Sequence, residues 1–410
     1  MQTFTLVALT LAIVTGGCAA ANPPLETSPP MARSLTPHYP TFDAWRDSFR
    51  GRALAQGIRP AVFDAAFAGV GENAEVVRLD GRQVEFTKPI WEYLDGAASA
   101  ERVATGRARR AALADTLASI ERTYGVDGDV VLAIWGMETN YGGNRGSMPV
   151  IESLATLAYE GRRRDFAEEQ LIAALRILQA GDVTPEQMVG SWAGAMGHTQ
   201  FMPTSYLDSA VDFTGDGHRD VWGDDPRDAL ASAAHYLAKA GWQRGQPWGM
   251  EVRVPAGFNY GSADQSNRRP VSDWAGRGVT RLDGRPLPDH GPAAILAPAG
   301  ARGPAFAIYG NFYAIKKYNN ATSYALGVAH LGDRIAGAGP IAAAWPRSER
   351  ELSRSEKVEL QNRLIALGFD TGATDGVIGP DTITAIRAYQ QARGLTPDGF
   401  ATASMLQGMR

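Results

Sequence analysis

The 410-residue chain contains a single cysteine, Cys18, so no intrachain disulfide can staple its fold. Histidine is scarce as well. The 6 residues form no spaced ligand set, which excludes a transition-metal site built on imidazoles. Charge is nearly balanced, and a net charge of −4 leaves no broad basic surface for a nucleic-acid partner. The apolar run at residues 4–17, "FTLVALTLAIVTGG", is too short to span a bilayer comfortably. What is present is globular. The chain is 44% hydrophobic and carries 9 Trp, 13 Tyr and 14 Phe, enough apolar surface for a sizeable core. Its length suggests two or three domains.

The run at residues 4–17 ends in small residues and reads as a secretory signal peptide. Residues 19–38 follow as a Pro-rich tether without periodicity. "TGGC" resembles a bacterial lipobox, with Thr15 where Leu is usual. That resemblance implies lipidation of Cys18 and a periplasmic protein anchored to the outer membrane, the membrane being touched by the lipid alone. Plain secretion is the alternative.

Helical patterns dominate residues 41–245. "TFDAWRDSFRGRALAQG" opens on a Thr N-cap and spaces Phe42, Trp45 and Phe49 along one helical face. "RARRAALADTLASIERTYG" reads as one amphipathic helix closing on Gly125. "DFAEEQLIAALRILQAGDV" lines up Leu171, Leu175 and Leu178, and "DALASAAHYLAKAGW" is a further helix. Near residue 250 the pattern changes to alternation and Gly/Pro-rich turns, so residues 249–310 are expected to form a small β-rich insertion. Helix resumes at "TSYALGVAHLGDRIAG".

Residues 346–354 read as a linker to a separate unit, residues 355–410. Its first helix places Leu360, Leu364 and Leu367 on one face, and its second has Pro380 near the start and Gly394 past the end. A short third helix follows. Two turns echo each other, Asp375-Gly376-Val377 and Asp398-Gly399-Phe400. This three-helix unit resembles the peptidoglycan-binding domain with a repeated D-G-hydrophobic turn.

"AIWGMETNYGG", residues 133–143, holds one acidic residue, Glu138. Three, four, seven and eight positions back lie Trp135, Ile134, Val131 and Val130, all apolar. Glu138 therefore belongs to the buried face, at the C-terminal end of its helix. Desolvation and the negative helix end both push its pKa up, which suits a general acid near neutral pH. A satisfied structural charge is the other reading of the residue taken alone.

"GMETNYG", "GSWAGAMGHTQFMPTSY" at 190–206, "EFTKPIWEYL" at 85–94 and "YNNATSYALGV" at 318–328 occur in one order. Together they resemble the MltB-like lytic murein transglycosylases over residues 39–345. The resemblance implies a mainly α chain with a lysozyme-like α+β core that cleaves the MurNAc–GlcNAc bond of peptidoglycan and forms 1,6-anhydromuramic acid. It implies Glu138 as the sole catalytic acid/base. Ser191 would hydrogen-bond its carboxyl group, and Gln200 would contact the glycan. Asn319 and Tyr324 would line the cleft, and Tyr236 would add an aromatic wall. The family often has Asn where His235 stands. No cofactor is implied for catalysis. The expected partner is the glycan strand, and the chain is expected to act as a monomer.

"DFTGDGHRDVWGDDPRD", residues 212–228, starts like an EF-hand loop: Asp212, Thr214, Asp216, Gly217 at the turn, and His218 with its backbone carbonyl. The twelfth position is Gly223, so an ordinary EF-hand fails. The family's longer loop takes a carboxylate from the start of the next helix, which points to Asp228, with Asp224 as the runner-up. Oxygen ligands favour a structural Ca2+. Two other functions compete with transglycosylation. A hydrolytic muramidase would need a second carboxylate for water, such as Glu152 or Glu160. A wall-anchored binding scaffold would need no catalytic acid.

Overall fold

A computed structural model describes residues 39–81 and 88–410. The signal peptide, Cys18, the tether and residues 85–87 of the "EFTKPIWEYL" motif lie outside the described residues. Six helices come first: α1 (Phe42–Ala55), α2 (Pro60–Ala66), α3 (Ala74–Gly81), α4 (Ile90–Ala97), α5 (Ala100–Ala112) and α6 (Ala114–Tyr124). The helix bearing Glu138 is α7 (Gly128–Thr139). Then follow β1 (Met148–Pro149), α8 (Val150–Glu160), α9 (Arg164–Ala180), β2 (Val189–Gly190), α10 (Pro203–Ser209) and α11 (Arg227–Lys239). None of the described helices is long and apolar enough to cross a membrane.

The Thr41 hydroxyl accepts the Ala44 N–H and starts α1, whose Trp45 and Phe49 are fully buried. One helix expectation needs correction. The stretch from residue 107 to 125 is two helices, not one. Leu113 ends α5, and its carbonyl then accepts the Leu117 N–H to begin α6. The amphipathic period runs through this break. At the break Leu113 leaves helical geometry, at φ −111° and ψ 21°, while its side chain stays packed onto the core around α7.

The insertion holds β3 (Gly249–Arg253), α12 (Val271–Gly276), β4 (Thr280–Arg281), β5 (Ala294–Leu296) and β6 (Ala305–Ile308). Its strands form one antiparallel sheet in the order β4-β3-β6-β5. It is not purely β. The helix α12 drives Trp274 into a core shared with Ile295 and Tyr309. Then come α13 (Gly310–Tyr318) and α14 (Thr322–Ala336), and α14 packs along α7.

Two main cores result. One gathers α1–α3 with α8–α10, around Phe49, Leu154 and Leu171. The other surrounds α7 with α4–α6, α11, α13 and α14. Tyr318 packs against both, so it marks their seam.

The C-terminal unit is α15 (Arg354–Ala366), α16 (Pro380–Ala392) and α17 (Ala403–Met409). Leu360 and Leu364 are buried, but Leu367 is 47% exposed, because the helix has ended and Leu367 is its cap. The two D-G turns are built alike. Gln361 accepts the Gly376 N–H and Gln390 accepts the Gly399 N–H, each at 2.8 Å. Each Gln also donates to the Asp of its turn. The connecting segment is held in place. Buried Glu349 binds Arg302 of the insertion at 2.7 Å and the Ser404 hydroxyl at 2.6 Å. Asp398 accepts the Ala301 N–H at 2.9 Å. The C-terminal unit therefore docks on the insertion.

Candidate active site

Helix α7 is apolar from Val130 to Trp135, and all of these side chains are buried. Such a helix sits inside a domain, and its last turn meets the seam between the two cores. Asn140 ends it in the left-handed region at φ 51°, and Tyr141 and Gly142 continue there at φ 59° and 85°. This run turns the chain sharply after Glu138. Gly142 is required at its place, because a Cβ there would lie 2.8 Å from the His198 ring.

Glu138 is half-buried, and burial raises its pKa to about 7. The Tyr324 hydroxyl donates to Glu138 Oε1 at 2.5 Å, which favours the charged form and limits the rise. Among the described residues this is the one side-chain hydrogen bond that Glu138 makes, and no cation pairs with it. Two further phenols feel its charge. Tyr93 is pushed up to about 12 and Tyr318 well above the usual tyrosine range, in both cases by burial first and then by Glu138. A carboxyl that is half protonated near neutral pH, ringed by phenols, can both give and take a proton.

Each expected partner finds a definite place. Tyr324, on the first turn of α14, touches Glu138 directly. The expected Ser191 contact is not formed. The Ser191 oxygen instead accepts the Ala195 N–H at 3.1 Å, within a tight turn whose backbone closes from Ser191 N to Ala195 O. Gln200 stands in the left-handed region at φ 52°, and its side-chain amide donates to Arg145 O at 3.1 Å and Gly197 O at 2.9 Å. These bonds brace the loop and leave the Gln200 carbonyl as its remaining polar group. Tyr236 donates to Lys317 O at 2.6 Å and stacks edge-on with Tyr318 at 5.0 Å. Asn319 caps α13, and its side-chain oxygen accepts the Ala321 N–H. His235 points its Nδ1 at Ser209 O, 2.9 Å away.

Three site residues escaped the sequence reading. Tyr318, adjacent to Asn319, donates to Thr199 O at 2.6 Å and bridges the cores. Tyr93 stands beside Glu138 from α4. His198 lies within the quoted 190–206 loop and was not singled out. Their signal was their membership of motifs. Their roles depend on which segments meet across the seam.

The 212–228 loop brings Asp212, Asp216 and Asp228 together, with one carboxylate oxygen of each within 4.8 Å of the others. Asp228, 2% exposed, accepts three backbone N–H groups, from Phe213, Thr214 and Asp220. Burial, and then the charge of Asp212, raise its pKa. Converging carboxylates with no soft donor fit a hard cation. The Thr214 hydroxyl is turned to Asp212 Oδ1 at 3.3 Å, and the His218 N–H donates to Asp216. Asp224, the runner-up ligand, is exposed and pairs with Arg145 at 3.3 Å instead. Asp220 had no expected role; it accepts the N–H groups of Trp222 and Gly223.

Residues 41–333 match the transglycosylase SLT domain family, and residues 353–409 match a peptidoglycan binding domain family. Over 230 residues the chain is 35% identical to membrane-bound lytic murein transglycosylase B of Escherichia coli, a match that spans 54% of this chain and 60% of that protein. SltB3 of Pseudomonas aeruginosa, solved in complex with NAG-anhNAM-pentapeptide, is 53% identical with a TM-score of 0.87, covering 91% of this chain and 100% of that one. The Escherichia coli lytic transglycosylase Slt35, solved in complex with calcium, is 29% identical with a TM-score of 0.63, covering 71% and 92%. With the family matched over most of its length around Glu138, the chain belongs to the transglycosylase SLT domain family and carries a peptidoglycan binding domain at its C-terminal end.

Proposed function

We propose that the chain is a lytic transglycosylase that cleaves the MurNAc–GlcNAc β-1,4 bond of peptidoglycan and leaves a 1,6-anhydromuramic product. The observation that carries this reading is Glu138: one carboxyl, raised to about 7, with no second carboxylate among its partners. A glycosidase that uses water needs a pair of carboxyls flanking the bond. The candidates for a second one are engaged elsewhere. Glu152 accepts from Asn73 at 3.0 Å, and Glu160 faces Glu72 and Asp80.

The protonated Glu138 gives its proton to the bridging oxygen as the C1–O bond breaks. The N-acetyl carbonyl of the same sugar shields the electron-poor C1. Glu138, now a carboxylate, takes the proton from that sugar's own 6-hydroxyl, and O6 closes on C1. The carboxyl returns to its starting form and no water is consumed. An intramolecular acceptor has the proximity advantage, so no base for water is needed. Tyr324 holds the carboxyl in place for both transfers.

Three finer readings accompany this one. Asp212, Asp216 and Asp228 would hold a structural Ca2+, supported by their convergence and by the calcium complex of Slt35. The C-terminal unit would bind the cell wall, supported by its family match. Residues 4–18 support export to the periplasm, with Cys18 lipidated to anchor the chain to the outer membrane, and the mass of the mature N-terminus tests it. The activity itself is tested by mass spectrometry of murein digested with the purified chain. Anhydromuropeptides are expected. Reducing-end products alone would make the chain a muramidase, and no release would make it a binding scaffold.

A further inference from the structure

We infer that His198 is a positioning residue that ties the acidic 212–228 loop to the end of the helix carrying Glu138. The inference rests on reading Glu138 as the acid/base and goes beyond it by naming what holds the last turn of α7 in place.

His198 is 3% exposed, so it does not meet substrate. Both ring nitrogens are engaged. The Trp135 indole N–H donates to His198 Nδ1 at 3.0 Å, which makes Nε2 the protonated nitrogen of a neutral ring. His198 Nε2 then donates to Gly223 O at 2.8 Å. The backbone repeats the link on both sides. His198 O accepts the Thr139 hydroxyl at 2.7 Å, and the His198 N–H donates to Val221 O at 2.9 Å. Thr139 is the residue after Glu138, and Trp135 lies one turn before it. Four bonds from one residue thus grip α7 on one side and residues 221–223 on the other.

The loop side continues to the carboxylate cluster. Asp220 accepts the Trp222 and Gly223 N–H groups, each at 2.9 Å, and the Asp220 N–H donates to Asp228 at 3.0 Å. Arg145 adds a parallel brace, donating to Trp222 O at 2.8 Å. The order of the acidic loop therefore reaches Glu138 through a continuous set of short contacts. Double-mutant cycles measure the coupling along such a chain of contacts.

The test uses the full chain and measures kcat and KM on purified murein. Asparagine at 198 reproduces the Nδ1 acceptor and loses the Gly223 bond. Glutamine reproduces the Nε2 donor and loses the Trp135 bond. Both His198→Asn and His198→Gln are expected to lower kcat about tenfold or more with KM within about twofold, because a small misplacement of an acid is costly. Asp220→Ala is expected to do the same from the loop side. The double variant His198→Asn/Asp220→Ala should fall no further than either single one, since both cut one link. In all of them the alkaline limb of the kcat–pH profile should move down from about 7, as water reaches a loosened Glu138.

A product of the two single effects in the double variant would overturn the inference, as would wild-type kcat in His198→Asn or His198→Gln. Trp135→Phe removes the same bond from the other side and replaces any His198 variant that fails to fold. A wild-type chain without murein turnover would overturn the transglycosylase reading instead, and is seen before any variant is compared.

Discussion

The Tyr324 hydroxyl lies 2.5 Å from Glu138 Oε1 and makes the one side-chain hydrogen bond that this carboxyl has among the described residues. Burial raises the pKa of Glu138 to about 7, and this bond works against the rise. The protonation state of Glu138 is thus set by two opposed effects, of which desolvation is the larger.

Removing the bond leaves desolvation alone. Tyr324→Phe should move the pKa of Glu138 above about 7, by roughly one unit for a bond of about 1.4 kcal/mol. The active form at the first step is the protonated acid, so activity is lost as pH rises through this pKa. The alkaline limb of the kcat–pH profile should therefore shift upward in the Phe variant. A lower kcat at every pH is expected as well, since the carboxyl is less well oriented. A downward shift of the limb would refute the assignment.

Glu138→Gln should abolish cleavage, with residual turnover below a few per cent, because an amide delivers no proton. The same change should stabilise the fold at high pH. The folded pKa of Glu138 is raised, so ionising it in the folded chain costs free energy. That cost is absent below the unfolded value near 4.5 and grows until pH passes about 7. At pH 8 the Gln variant should be more stable by about 3 kcal/mol, and at pH 4 about equally stable. Denaturant melts at the two pH values check this.

If the acidic loop holds Ca2+, chelation should lower the Tm of the wild-type chain. An ion at a hundredfold excess over its Kd contributes about 2.7 kcal/mol to the native state. The double variant Asp212→Asn/Asp216→Asn should melt earlier and no longer respond to chelator, yet stay active at low temperature. A wild-type melting curve indifferent to chelator would reduce the loop to an acidic turn.

Deleting residues 350–410 should weaken binding to sacculi while cleavage of soluble glycan fragments stays within about twofold. A tethered binding unit raises local substrate concentration and leaves the chemical barrier alone. Pull-down by sacculi and turnover of fragments are measured on the same preparations. The docking of this unit through Glu349 and Asp398 adds a second expectation: the truncated chain should also be less heat-stable, because Arg302 loses its buried partner's anchor at Ser404.

Much of this protein was legible along the chain. Helix identity, the β-bearing insertion and the three-helix C-terminal unit follow from apolar periodicity and turn residues, which are local. So does the burial of Glu138, because positions 130–135 are all apolar, and a helix with no polar face goes inside. The spacing of Asp212 and Asp216 read as the start of a cation loop, but Asp228 came from the family resemblance, and the fold is what brings all three carboxylates together. The Ser191 hydroxyl was taken up by a turn's own hydrogen bond, and Leu367 is exposed because its helix ends one residue earlier. What periodicity could not supply was any relation between distant segments. The choice of Tyr324 as the partner of Glu138, 186 positions away, is one such relation. The bridge of His198 between Trp135 and Gly223 is another. A hydrogen bond depends on tenths of an ångström between atoms, and only the packing of α7, α14 and the 190–206 loop around one seam sets distances on that scale.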